Sequence, residues 1–139
     1  TLDWMIQPFA ALMGHTPPPA LMVSHVVVPA WDEERNASLS PRIIQDRLRG
    51  ALGFTGIIMG DDFSMQAVAS SGLSAEDAVV AALNAGVDMV MTWPRNLWSV
   101  HRAILTALHE GHLPRERLRQ AVERILTQKF RYGLIEEGT

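Results

Sequence analysis

The chain has 139 residues, of which 47% are hydrophobic and 19% are charged, and its formal net charge at pH 7 is −3. This length and composition fit one folded domain with a hydrophobic core, and they exclude a disordered chain. The small negative charge provides no general attraction to nucleic acid or to an anionic membrane surface, so neither is expected as a partner.

The predicted elements alternate between helices and strands. In chain order they are a helix over about 2–12, a strand over 21–28, a polar irregular loop over 29–38, a helix from Ser40 to about Gly50, a strand over 55–60, a helix over 75–85, a strand over 87–92, and helices over about 96–110 and 114–132. Ser74–Asp77 is typical of a capping box, and Gly86 predicts the end of that helix. Strands separated by helices imply a parallel sheet, and no linker divides the chain.

Three strands are too few for a closed parallel barrel, which needs eight strands and typically about 250 residues. The alternation therefore predicts either a small open α/β domain or a piece of a larger one. We favour the second interpretation because the chain starts at Thr1 rather than at a methionine.

The strongest chemical signal lies at the end of the second predicted strand, where an apolar run stops at Asp61 and Asp62. In a parallel sheet, α/β proteins place reactive groups at the carboxyl ends of the strands. Adjacent side chains on a strand point to opposite faces, so the two acids cannot share one role. We expect Asp61 to face the site and Asp62 to hold the following loop through hydrogen bonds.

Rare or absent residue types exclude several other kinds of chemistry. The absence of cysteine excludes a disulfide scaffold and a thiol nucleophile, and it fits a cytoplasmic location. The single lysine, Lys129, falls in the last predicted helix, so no Schiff-base lysine is available at a strand end. No apolar run is long enough to cross a bilayer, and the first residues lack the pattern of a signal peptide.

Charged residues elsewhere favour structural roles. Asp88 falls at the start of the third strand, the end associated with stability rather than chemistry. An exposed face among acids is predicted for four arginines of the last helix, which are Arg115, Arg117, Arg119 and Arg124.

Five segments resemble glycoside hydrolase family 3, and within it the bacterial β-N-acetylhexosaminidases of peptidoglycan recycling. They are Met22–Val26, Ala37–Pro41, Leu48–Met65, Ala81–Val90 and Ala121–Ile125, in order and at plausible spacings over nearly the whole chain. The resemblance implies an α/β fold that is the C-terminal portion of a (β/α)8 TIM-type barrel. The whole chain then represents a partial catalytic domain, made of the last three βα units and the C-terminal helices.

The resemblance also implies a reaction. It predicts a retaining glycoside hydrolase that removes terminal β-linked N-acetylglucosamine, with Asp61 as the nucleophile that forms a glycosyl-enzyme. The family's Lys-His motif and its acid/base histidine come before this segment and are absent from the chain, and His25 matches a different strand. We therefore expect a small carbohydrate as substrate, and a barrel half that is missing or is replaced by self-association, because a half barrel exposes apolar sheet flanks.

Three further side chains are candidates for contacts with the sugar. His25 either ties down the loop after the first strand or lines the pocket. Met65 either packs under its loop or lines the pocket, and Trp93 either stacks on a sugar ring or packs under the rim. His25 and Asp61 lack a third ligand, so neither a metal nor another cofactor is expected.

Three alternatives stay open at this point. One is β-glucosidase specificity, since the sugar-binding motifs lie outside the chain. Another is a non-catalytic or truncated glycosidase scaffold. The third is a magnesium-binding receiver domain, but such domains place the acid pair after the first strand and use a lysine near the last.

Overall fold

A computed structural model describes residues 2–136 of the chain, with side chains from residue 4 onward. The helices are α1 (Leu2–His15), a π-helix (Arg42–Ala51), α2 (Gln66–Ala69), α3 (Ala75–Ala85), α4 (Leu97–His109) and α5 (Arg115–Arg131). The strands are β1 (Ala20–Val23), β2 (Val27–Val28), β3 (Asp32–Asn36), β4 (Ile57–Asp62) and β5 (Met89–Met91). Short 3₁₀ turns cover Ala37–Leu39 and Pro94–Asn96.

A parallel sheet of three strands, in the order β1-β4-β5, lies at the centre of the fold. Its register pairs Val23 with Gly60 and Asp62 with Met91, so the carboxyl ends of all three strands lie at one edge of the sheet. The π-helix connects β1 to β4 along the chain, and α3 connects β4 to β5. This arrangement confirms the predicted α/β class with a parallel sheet.

The hydrophobic core forms between this sheet and the helices. Ile58 of β4 has no exposed surface, and the other large fully buried side chains include Phe54, Phe63, Ile44 and Leu113. Burial of such side chains is the main favourable term in folding. No helix in the part of the chain that the structure describes is long and apolar enough to cross a membrane.

Ser74 is the N-cap of α3, as the predicted pattern indicates. The Ser74 hydroxyl accepts a hydrogen bond from the Asp77 amide at 3.0 Å and donates one to the Asp77 carboxylate at 2.7 Å. Gly86 ends the helix with a φ angle of +119°, a backbone conformation that residues other than glycine rarely adopt. Local sequence signals are therefore sufficient to define both ends of this helix.

The single strand predicted over 21–28 is wrong. β1 ends at Val23, and Val27–Val28 form β2, which pairs antiparallel with β3 in a separate hairpin. The predicted irregular loop over 29–38 thus contains a strand. The apolar run misled the prediction because Val27 is 48% exposed on this hairpin rather than buried in the parallel sheet.

Asp32 organises the hairpin. One carboxylate oxygen accepts hydrogen bonds from the Glu34 and Arg35 amides at 3.1 and 3.2 Å, and the other accepts one from the Ser40 hydroxyl at 2.6 Å. The same Ser40 oxygen accepts the Ile43 amide at 3.2 Å, as expected of a residue that caps the following helix. One buried carboxylate therefore joins β3 to the start of the π-helix.

This network predicts acid sensitivity. The Ser40 hydroxyl, with the two amides, holds the pKa of Asp32 below its usual range, against the opposing effect of burial. An unfolded aspartate has a pKa of about 3.9, so the stabilisation is present above that pH and is lost as the pH falls toward the lower folded value. We expect the free energy of unfolding to decline below about pH 4, and Asp32→Asn to remove part of that decline. Urea unfolding of the unmodified chain and of Asp32→Asn between pH 3 and 5 measures this decline in stability.

The matched control is Glu34→Gln, which removes an exposed carboxylate from the same strand. It should leave the pH dependence of unfolding unchanged. An identical pH dependence for Asp32→Asn and the unmodified chain would contradict the stabilising role of Asp32.

Asp88, directly before β5, is the centre of a buried ion-pair network at the amino edge of the sheet. One carboxylate oxygen accepts hydrogen bonds from Arg49 Nη2 at 2.5 Å and from the Ile58 amide at 3.0 Å. The other accepts them from Arg117 Nη2 at 2.7 Å and Arg124 Nη1 at 3.1 Å. The network joins the π-helix, β4 and α5, in agreement with the structural role predicted for this end of the strand.

The prediction of an exposed face for four arginines of the last helix is wrong for Arg117 and Arg124. Their side chains are 11% and 31% exposed, because both pair with the buried Asp88. Arg119 does lie on the surface, where it pairs with Glu116 and Glu123. The helix thus has a buried cationic side that its sequence pattern did not indicate.

Candidate active site

The structure brings all of the predicted site residues to the carboxyl edge of the parallel sheet. Asp61 is the penultimate residue of β4, His25 lies two residues after β1, and Trp93 lies two residues after β5. Met65 directly precedes α2 in the loop that follows β4. Trp93 is 57% exposed and Met65 is 44% exposed, whereas His25 is only 6% exposed.

Asp61 is half-buried, and one of its carboxylate oxygens, Oδ1, accepts a hydrogen bond from the Asp62 amide at 2.8 Å. No other hydrogen bond to this carboxylate occurs within residues 2–136, so Oδ2 is available to a ligand. An amide that donates to a carboxylate fixes the direction of that carboxylate. The geometry is that of an oriented carboxylate at a strand end.

Asp62 has the structural role that was predicted for it. Its Oδ1 accepts a hydrogen bond from the Ser64 amide at 2.9 Å, and its carbonyl accepts one from the Met65 amide at 3.1 Å. Both bonds close the turn that connects β4 to α2. The two neighbouring acids therefore differ in their hydrogen bonds.

His25 is held on both sides of its ring. Nε2 lies 3.0 Å from the Asp62 carbonyl, which can only accept, so Nε2 carries the proton and donates. In the neutral ring Nδ1 then accepts from the Ser38 hydroxyl, at 2.7 Å. The ring edge also packs on Phe63, with centroids 4.8 Å apart. His25 thus ties the loops after β1 and β4 together, and its contact with a sugar stays a prediction.

Gly60 allows Phe63 to fold back under this site. A Cβ at residue 60 would lie 2.5 Å from Phe63 Cε2 and 2.8 Å from Phe63 Cζ, closer than atoms can pack. We expect Gly60→Ala to displace Phe63 and to lower the free energy of unfolding by about 1–3 kcal/mol. Chemical denaturation measures the loss. The control is Gly14→Ala, where an added Cβ meets no atom within 4 Å, and equal stability of the two variants would contradict the steric argument.

Contacts between the loops after β4 and β5 complete this edge, and the sequence did not indicate them. Asn96 Nδ2 donates to Ser64 Oγ at 2.9 Å, and the Phe63 amide donates to the Met91 carbonyl at 3.1 Å. In each of these two hydrogen bonds, the donor and the acceptor residue lie about thirty positions apart along the chain. These bonds position Trp93, whose loop lies between Met91 and Asn96, relative to the end of β4.

A further polar group at this edge is the Thr92 hydroxyl. Its oxygen is buried and has no hydrogen-bond partner among residues 2–136. Buried polar groups in folded proteins nearly always have a hydrogen-bond partner, so we expect a water molecule or a ligand atom to bind this hydroxyl. In the same described range, no three histidine or acidic side chains are placed to hold a metal ion.

The arrangement provides one oriented carboxylate at the same edge of the parallel sheet as an exposed tryptophan and methionine. It can supply a nucleophile or a general base, while both nitrogens of the nearby His25 are already engaged. The fold and this edge define an α/β domain of the kind that binds its ligand at the carboxyl ends of parallel strands.

Comparison with known proteins identifies the family. Residues 3–128 match the family described as the glycosyl hydrolase family 3 N-terminal domain. The chain belongs to this family, which confirms the resemblance found in the sequence.

Curated relatives are glycosidases. A beta-hexosaminidase of Stenotrophomonas maltophilia (strain R551-3) is 47% identical over 72 residues, which cover 52% of this chain and 21% of that protein. A beta-N-acetylglucosaminidase/beta-glucosidase of Cellulomonas fimi is 31% identical over 124 residues, which cover 82% of this chain and 22% of that protein. The chain thus spans only about a fifth of the length of these relatives.

Several solved structures have a closely similar fold. The family 3 beta-N-acetylglucosaminidase from Paenibacillus sp. str. FPU-7 matches with a TM-score of 0.85 at 29% identity, over 95% of this chain and 25% of that one. The beta-N-acetylglucosaminidase from Thermotoga maritima matches with a TM-score of 0.81 at 29% identity, over 87% and 27%. The beta-glucoside phosphorylase BglX matches with a TM-score of 0.83 at 28% identity, over 97% and 26%.

Proposed function

We propose that this chain contributes the nucleophile to a retaining β-N-acetylhexosaminidase. The observation that carries the proposal is the Asp61 carboxylate, which lies next to the carboxyl end of the central strand β4, is held by the Asp62 amide and leaves one oxygen available. Membership of glycosyl hydrolase family 3 supports a glycosidase.

In the proposed reaction, the available Asp61 oxygen attacks the anomeric carbon, and the bond from that carbon to the leaving oxygen breaks. The sugar becomes an ester of Asp61, and water then hydrolyses the ester with overall retention of configuration. A general acid must protonate the leaving oxygen for unactivated substrates, a contribution of about 10²–10⁴-fold. We assign that acid to a group outside this chain, since His25 is buried and engaged at both ring nitrogens.

We propose terminal β-linked N-acetylglucosamine as the sugar. The names of the relatives, beta-hexosaminidase and beta-N-acetylglucosaminidase, support this specificity. Trp93 offers an exposed aromatic face for stacking on a pyranose ring, and Met65 offers an apolar contact beside the β4 loop. A role in peptidoglycan recycling and a cytoplasmic location belong to the same proposal.

The proposed architecture is the last three βα units of a (β/α)8 barrel. The described sheet is open, because β1 and β5 each pair with one strand only within residues 2–136. Exposed large apolar side chains on the helices, such as Trp98 at 73% exposure, add surface that a partner could cover. We therefore expect either further barrel strands from outside these residues or self-association of the chain.

A β-glucoside activity is the second candidate. It is favoured by the Cellulomonas fimi relative, whose name includes beta-glucosidase, and by the similar fold of the beta-glucoside phosphorylase. The two specificities differ in the group at carbon 2 of the sugar, which an N-acetyl-specific site must accommodate.

An aryl N-acetyl-β-glucosaminide with a very good leaving group tests the proposal, because its cleavage needs no general acid. We expect release of the phenol by the chain and, by NMR, a first-formed sugar product in the β configuration. The matching aryl β-glucoside should react more slowly. Faster reaction of the glucoside would support the second candidate, and an α-configured product would overturn the retaining mechanism.

A further inference from the structure

A polar cavity lies at the amino edge of the sheet, away from Asp61. It has a volume of about 430 Å³ and is lined by polar side chains. The lining includes two threonine hydroxyls, two glutamine amides and two guanidinium groups, from Thr55, Thr127, Gln120, Gln128, Arg124 and Arg131. Thr55 directly precedes the Gly56–Ile57 start of the central strand, and the others lie on α5.

The charge around this cavity is unbalanced. Asp88 is buried and carries one negative charge, but it pairs with three guanidinium groups, those of Arg49, Arg117 and Arg124. Burial lowers the pKa of Arg49, and the positive charges of Arg124 and Arg117 act in the same direction against Asp88. An excess of buried positive charge is costly in a protein interior unless an anion compensates it.

Arg124 connects the network to the cavity. It makes the longest of the three contacts with Asp88, at 3.1 Å, and it has the most exposed of the three side chains. Within residues 2–136 this is its only hydrogen bond, so Nε and Nη2 can donate to a ligand. The one acid that lines the cavity, Glu123, pairs with Arg119 on the outer side of α5.

Gln128 also lines the cavity. Its Oε1 atom is buried and has no partner in the described part of the chain, and its Nε2 group can donate to a ligand. Amide, hydroxyl and guanidinium donors around one cavity are the groups that bind phosphate oxygens.

We propose that this cavity is a binding site for a phosphate-type oxyanion, held by Arg124 and Arg131 and completed by the glutamine amides and threonine hydroxyls. The anion compensates the excess charge of the Asp88 network and fastens α5 to the sheet. The chemistry is the same whether the phosphate is free or is part of a small phosphorylated molecule. The site is separate from the proposed glycosidase chemistry at the opposite edge.

Isothermal titration of the chain with inorganic phosphate tests the proposal, in a buffer whose ionic strength is kept constant with sodium chloride. We expect saturable binding, and we expect Arg131→Gln and Arg124→Gln each to weaken it by about tenfold, since each removes a charge-assisted hydrogen bond. Arg131 is exposed and lies outside the Asp88 network, so Arg131→Gln is expected to fold normally even if Arg124→Gln is destabilised.

Arg102→Gln, on α4, is the matched control, because it removes the same charge at a different place. Asp61→Asn should bind phosphate as tightly as the unmodified chain does. This result would show that phosphate does not bind at the carboxyl edge of the sheet. Glucose 6-phosphate and glucose distinguish the two sources of the anion: tighter binding of the sugar phosphate than of phosphate identifies a phosphorylated ligand, and glucose should not bind.

Two outcomes would overturn the proposal. One is the absence of saturable phosphate binding to the unmodified chain. The other is equal weakening by Arg131→Gln and Arg102→Gln, which would mean that phosphate responds only to the overall charge.

Discussion

Replacing Asp61 with asparagine is expected to lower the turnover of an activated aryl N-acetyl-β-glucosaminide by roughly 10⁴-fold or more. The amide is neutral and a poor nucleophile, and it cannot form the ester through which the proposed reaction proceeds. Steady-state release of the phenol measures the loss. Intact-mass spectrometry in the first turnover should show a glycosyl adduct on the unmodified chain and none on the variant.

The control for this experiment is the neighbouring acid. Asp62→Asn keeps an oxygen that can accept from the Ser64 amide, so it should preserve the turn and most of the turnover. The Asp61 variant should also retain its stability in urea, because Asp61 makes one hydrogen bond only in the described part of the chain. Equal turnover of Asp61→Asn and the unmodified chain would refute the nucleophile assignment and favour a non-catalytic scaffold.

Removing the Asp88 carboxylate should destabilise the fold by about 3–5 kcal/mol, as is usual when one partner of a buried ion pair is lost. In Asp88→Ala the Arg49 and Arg117 guanidiniums, with side chains only 12% and 11% exposed, lose their anion. The Ile58 amide at the centre of the sheet loses its acceptor as well. Urea unfolding monitored by tryptophan fluorescence measures the change.

Removal of a matched ion pair on the surface shows how much of the loss in stability comes from the burial of the Asp88 network and how much from the loss of a charge alone. Glu116→Gln removes a carboxylate that also pairs with an arginine of α5, but both partners are more than half exposed. Solvent and salt screen such pairs, so we expect little change in stability. Similar losses for Asp88→Ala and Glu116→Gln would mean that the buried network contributes no more than an ordinary surface pair.

Features that depend on neighbouring residues were predictable from the sequence. The strand at 55–60 and the helix at 75–85 correspond to β4 and α3, because a short apolar run and a capping box act within a few residues. The placement of Asp61 at the carboxyl end of a parallel strand follows from the same pattern. The ordered motifs also predicted the family, which the comparison confirmed.

Features that depend on distant residues were not predictable in this way. The run 21–28 is apolar throughout, and only pairing with β3 shows that its second half leaves the parallel sheet. Arg124 pairs with Asp88, which lies 36 residues away along the chain. Helical periodicity does not indicate which arginine of a charged helix forms an ion pair with a buried acid. The engagement of both His25 nitrogens likewise involves residues 13 and 37 positions away.

The sequence by itself determined the α/β class, the family and the position of the candidate nucleophile, since these rest on local patterns and on motif order. Only the tertiary structure decided which polar groups are free to act. It pairs His25 with Ser38 and the Asp62 carbonyl, leaves an oxygen of Asp61 available, and surrounds Asp88 with three arginines. The physical reason is that hydrogen bonds and ion pairs form between atoms that folding brings within about 3 Å, whatever their separation along the chain.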